Sequence, residues 1–145
     1  MAKSTAKFAC SKVKIMACLA VSVFVGTSAH AGSVPALYTA QQATDGKTVF
    51  SQNCAICHGH ALQGKIGPAL VGQNFAPASG NNTVGSIFTM LSTQMPYGAG
   101  GSLTQTQYED AMSYILSKNG YPAGRTMLGY SSALASTVPL VSQVK

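Results

Sequence analysis

Apolar residues in this chain form one dense run and three periodic segments, separated by long stretches without any period. The run, Ile15 to Gly26, follows Lys3, Lys7, Lys12 and Lys14 and precedes Thr27-Ser28-Ala29-His30-Ala31, an Ala-x-Ala ending just ahead of Gly32. A basic opening, a short apolar segment and a small-residue site make up a secretory signal peptide. A membrane anchor needs roughly 20 apolar residues, so residues 1–31 are expected to be removed by cleavage after Ala31. Lipoprotein processing at Cys18 is disfavoured because most of the apolar run lies after that cysteine, not before it.

The first periodic segment predicts a helix from about Thr39 or Ala40 to Asn53, with Thr39 and Gln42 as a capping box and Val49 and Phe50 on the apolar face. Gly46 shares the face of Phe50. Glycine inside a helix costs about 1 kcal/mol relative to alanine, so a close backbone contact is expected there. Val84, Ile87, Phe88 and Leu91 predict a short second helix over Thr83 to Leu91. The third helix has Thr104 as cap, Gln107 completing a capping box, and Tyr108, Ala111, Met112 and Ile115 as its stripe. Lys118 suits its negative end, Asn119-Gly120 offers a left-handed stop, and Pro122 forbids continuation.

His60 to Gly80 and Thr93 to Ser102 read as loops, and a loop as long as the first needs something to wrap. Residues 123–145 show no period and read as a C-terminal tail, loosely docked or disordered. Strand signals are weak throughout. The expected architecture is one all-α domain over residues 32–122, with three to four helices.

Charge changes the picture only once the leader is set aside. Of the formal +6, four lysines belong to residues 1–31; beyond them five basic side chains face three acidic ones, leaving +2. No basic cluster suited to many phosphates survives, so nucleic-acid binding has no support. Three acidic side chains also leave little from which to build acid–base catalysis. Cys10 and Cys18 go with the leader, and only Cys54 and Cys57 remain.

Cys54-Ala55-Ile56-Cys57-His58 is the informative segment. Residues three or four apart on a helix share a face, so both thiols reach one edge of a planar ligand while His58 lies beneath it. Covalent haem requires this pattern: two vinyl groups become thioethers and one imidazole nitrogen binds iron. A zinc site would have to use Cys54, Cys57, His58 and His60, all within seven residues, which strains a closed tetrahedron. A thioredoxin-like pair lacks its strand-helix-strand context. A plain disulfide leaves His58 unexplained.

Haem iron has a second axial position. His60 is a poor candidate, since two residues span at most about 7 Å. Among the remaining methionines, Met90 and Met112 sit on predicted helices and read as core filler, and Met127 lies in the tail. Met95 sits in a glycine-rich loop before Pro96, which favours an extended backbone suited to aiming a thioether at iron. His58 and Met95 are therefore the expected axial ligands, with Leu70, Ile87, Leu91, Met112 and Ile115 as pocket residues.

With these positions in view the sequence resembles a class I cytochrome c. The match runs through Asp45-Gly46-Lys47, Phe50, Cys54 to Gly59, Gly67-Pro68-Ala69-Leu70, Met95-Pro96 and Tyr114-Ile115. The resemblance implies that the first and last helices cross where Gly46 and Phe50 meet Tyr114. It also implies that the Pro68 carbonyl accepts a hydrogen bond from the ring of His58. Residues 95–103 with Tyr108 and Asn119 to Pro122 are similar to small proteobacterial cytochromes, some of which serve quinoprotein dehydrogenases.

The implied function is electron transfer without substrate chemistry, in the periplasm and within a respiratory chain. It would use one haem c, a dehydrogenase as donor, and an oxidase or another cytochrome as acceptor. The protein is expected to be a monomer or a transient complex, with no membrane span after cleavage. The alternatives are a tightly bound dehydrogenase subunit, with residues 123–145 as docking strap, and a haem enzyme or sensor with an open sixth iron position.

Overall fold

Capping decides where the helices of this protein begin. In the computed structural model, which describes residues 33–145, Thr39, Thr83 and Thr104 each adopt extended backbone and accept a bond from the amide three residues on. The side chains of Gln42, Ser86 and Gln107 return the bond to the cap. The helices that follow are α1 (Ala40–Asn53), α3 (Val84–Gln94) and α4 (Gln105–Lys118). A one-turn helix, α2 (Ala55–His58), follows α1 directly, and α5 (Tyr130–Leu134) lies near the C-terminus. A two-residue strand, β1 (Tyr38–Thr39), pairs in parallel with β2 (Ala123–Gly124), Tyr38 opposite Ala123. The signal peptide expected over residues 1–31 lies outside the described residues.

The all-α expectation holds, with α2 and α5 as short additions. The second helix runs three residues past its expected end, because Ser92 is buried and Thr93 bonds back to the Thr89 carbonyl instead of opening a loop.

α1 packs chiefly against α4. Gly46 permits the crossing: a Cβ there would run into the Asp110 carbonyl and stand 3.0 Å from Cβ of Tyr114. Beside it the Phe50 and Tyr114 rings sit 5.5 Å apart at 58°. One apolar cluster gathers Phe88, Tyr108, Met112, Leu116 and Leu140, and a second gathers Phe50, Leu62, Tyr114 and Ile115. At about 25 cal/mol per Å² of apolar surface, burying such side chains is the main favourable term in the fold.

Residues 123–145 are not the loose tail the sequence suggested. Leu128, Ala133 and Leu140 are buried in the first cluster, and Tyr130 packs edge-on to Phe88 at 5.2 Å. Polar side chains far away in sequence hold the segment down. The Gln42 amide donates to the Leu128 carbonyl and accepts from its N–H, both at 2.9 Å. Further on, the Leu140 N–H donates to Asn82 and the Ser142 N–H to Ala76. The segment therefore straps the loop ahead of α3. Among the described residues, no helix is long and apolar enough to cross a membrane.

Candidate functional site

The last four residues of Cys54-Ala55-Ile56-Cys57-His58 form the one-turn helix α2 with Cys54 as its cap, and Cys54, Cys57 and His58 line a single cavity of about 620 Å³. Both cysteines are free and partly buried. Burial, with a smaller contribution from Cys57, pushes the Cys54 thiol up to about 11, so it stays protonated at neutral pH. Ala55, pointing the other way, is buried in the second apolar cluster and fixes the turn from behind.

His58 is 8% exposed, and its Nδ1 lies 2.8 Å from the Pro68 carbonyl. A carbonyl only accepts, so Nδ1 carries the proton and Nε2 keeps its lone pair for a metal. The loop comes this close because residue 67 is glycine: a Cβ there would stand 2.8 Å from His58 Cε1. Its N–H donates to the Cys57 carbonyl at 2.9 Å, tying loop to motif.

Met95 lines the same cavity from the C-cap of α3. Its backbone is extended, at φ −117° and ψ 149°, as Pro96 implied. Leu70, Ile87, Leu91 and Ile115 line the cavity as expected, whereas Met112 does not. Met112 is wholly buried in the first cluster, since its position on α4 faces the α3 side of the core. Met90 reverses the other way. Read as core filler, it is 46% exposed and lines the cavity. His60 is exposed and takes no part in the lining. Phe75 and Asn74, from the loop after Gly67-Pro68, also reach the wall, a placement that no period in that loop signals.

The lining fits a covalently held haem. It is apolar across most of its surface, carries two thiols one helical turn apart, and offers an imidazole nitrogen and a thioether, ligands suited to low-spin iron. A mostly helical fold wrapped around such a cavity, with Cys-x-x-Cys-His on its rim, defines a class I c-type cytochrome. Residues 41–115 match the family described as cytochrome C oxidase, cbb3-type, subunit III, and the chain belongs to it.

The chain is also similar to two larger proteins. A thiosulfate dehydrogenase of Psychrobacter arcticus is 30% identical over an alignment of 79 residues, and the match covers 49% of this chain and 24% of that protein. The sulfane dehydrogenase SoxCD of Paracoccus pantotrophus shares the fold at a TM-score of 0.51 and 22% identity, over 67% of this chain and 53% of its own. The chain thus spans about a quarter and about half of those relatives' lengths. Membership of the family implies covalently bound haem c and haem-based electron transfer.

Proposed function

We propose that this protein is an exported electron carrier with a single haem, held by thioethers at Cys54 and Cys57 and ligated axially by His58 Nε2 and the Met95 thioether. The bound haem would supply a one-electron Fe(III)/Fe(II) couple. Pro68 holds the His58 proton on Nδ1 and makes the opposite nitrogen the stronger donor. The soft Met95 sulfur and the apolar wall of Leu70, Ile87, Leu91 and Ile115 favour the ferrous state, which raises the potential. With His58 and Met95 both given to the iron, oxygen and small substrates would find no open iron site, which favours a carrier over an enzyme or sensor. The leader over residues 1–31 supports a periplasmic setting, with a dehydrogenase as donor and an oxidase or another cytochrome as acceptor.

The observation that carries this reading is the convergence of Cys54, Cys57, His58 and Met95 on one cavity, with Nδ1 of His58 already committed. Met95→Ala holoprotein is expected to lose the methionine-to-iron charge-transfer band, to drop in potential and to bind exogenous imidazole readily. Met90→Ala should keep the band. If Met90→Ala loses the band and Met95→Ala retains it, the ligand assignment is wrong. Loss of pigment to acidified acetone would remove the thioethers from the account.

The relatives named as dehydrogenases favour a second reading, a cytochrome subunit held firmly to a dehydrogenase. Residues 123–145 would not act as a free strap, because Leu128, Ala133 and Leu140 anchor them to their own domain. Co-purification of a dehydrogenase through high salt would favour this reading, and a monomer in gel filtration would exclude it.

A further inference from the structure

Tyr108, in the first turn of α4, is 2% exposed, and its hydroxyl has two backbone partners. It donates to the Met95 carbonyl at 2.7 Å and accepts from the Leu103 N–H at 3.4 Å. One side chain thereby closes both ends of the loop from Met95 to Leu103, whose residues 97–102 are all exposed. The Met95 N–H is also committed, to the Leu91 carbonyl at 3.3 Å. With both backbone polar groups held, the direction of the Met95 Cα–Cβ bond toward the cavity it lines is set, and only side-chain rotation is left to place the thioether. The last carbonyls of a helix have no partner within it, so without Tyr108 the C-cap carbonyl of α3 would be free to turn.

We propose that Tyr108 is a positioning residue for the sixth iron ligand, acting through the Met95 carbonyl to hold the loop in its ligating form. The proposal rests on Met95 being that ligand. Thioether binding to ferric iron is the weaker of the two axial bonds, so an added ligand such as imidazole competes with Met95. When imidazole wins, the loop moves and the Tyr108 bond is lost. Removing the hydroxyl removes that cost of displacement while the ring keeps the core filled.

The test uses ferric holoprotein and imidazole as the probe. Tyr108→Phe should bind imidazole roughly threefold to tenfold more tightly than wild type, the worth of one buried hydrogen bond, and its methionine-to-iron band should fade at lower temperature. Met112→Leu, a change in the same core cluster, should leave imidazole affinity unchanged even where it lowers the unfolding midpoint. Equal imidazole affinity in Tyr108→Phe and wild type overturns the proposal. Should the variant fail to mature, amide exchange in wild type decides: the Leu103 N–H should lose protection when imidazole binds, and unchanged protection overturns the proposal. A wild-type protein without the band would instead overturn the ligand assignment itself, so the two failures are distinct.

Discussion

Asp110 is the least comfortable side chain in the described structure. It lies on α4 at the crossing with α1, 8% exposed, and burial, with Asp45 and then Glu109 nearby, pushes its carboxyl from 3.8 up to about 6. A carboxyl raised in the folded state binds its proton more tightly there than in the unfolded chain. Its contribution to stability is therefore complete below about 3.8 and is lost as pH rises through about 6. At neutral pH the charged group opposes the crossing, at a cost on the order of 1 kcal/mol once solvent screening at its edge is allowed for. Asp110→Asn should raise the urea midpoint of the holoprotein at pH 7 and gain little at pH 4.5. A variant whose gain is equal at both values would show that the carboxyl does not titrate in this window. At this scale the candidate site was largely legible, because Cys54, Cys57 and His58 fall within five residues and proline restricts the backbone of Met95. Met90 and Met112 were not, since helical spacing states that both face something without stating whether it is cavity or core.

At the scale of elements, α1 and α4 were readable twice over, by a threonine cap with its returning glutamine and by an apolar stripe, whereas α3 was read from its stripe alone and its Thr83–Ser86 box emerged only in the structure. The C-terminal strap announces nothing. Leu128, Ala133 and Leu140 are spaced five and seven apart, matching neither helix nor strand, and their polar anchors sit on other elements. Gln42 looked sufficiently explained as half of a capping box, yet its amide also pairs with Leu128. Asn119-Gly120 provides the expected left-handed stop, with Gly120 at φ +82°, but the sequence did not signal that Asn119 is also fully buried. Its amide donates to the Leu70 and Ile115 carbonyls and accepts from the Gly72 N–H, while its own carbonyl accepts from Gln143. The strap thus bears on the loop that carries Leu70 to the cavity. Leu140→Ala, at a site with no solvent exposure, should cost about 2–4 kcal/mol in urea unfolding of the holoprotein. A loss under about 0.5 kcal/mol, typical of surface changes, would place the segment outside the cooperative unit.

For the whole molecule, the question is where an electron would leave and what would guide a partner to that place. None of the residues lining the cavity is Asp, Glu, Lys or Arg, and Ile56, Ile66 and Tyr97 on its lining are largely exposed. The acidic side chains of residues 32–145 lie apart from it, with Asp45 and Glu109 both close enough to act on Asp110 at the α1–α4 crossing. A net charge of +2 over those residues adds little long-range field. Steering by charge accelerates encounter steeply at low salt and collapses once the Debye length falls to a few ångströms. With no charged side chain in the lining itself, that acceleration is small, and encounter proceeds by diffusion onto a small apolar contact of the kind used by transient redox pairs. The second-order rate of electron exchange with a physiological partner should therefore change by less than about threefold between 0.05 and 0.5 M salt. A tenfold fall measured by stopped flow would mean that cations outside the lining, such as exposed Lys65 beside Ile66, draw partners in. Ile66→Glu gives the complementary check, because a charge placed on the rim should introduce a salt dependence the native protein lacks, its sign reporting the charge of the surface that docks there.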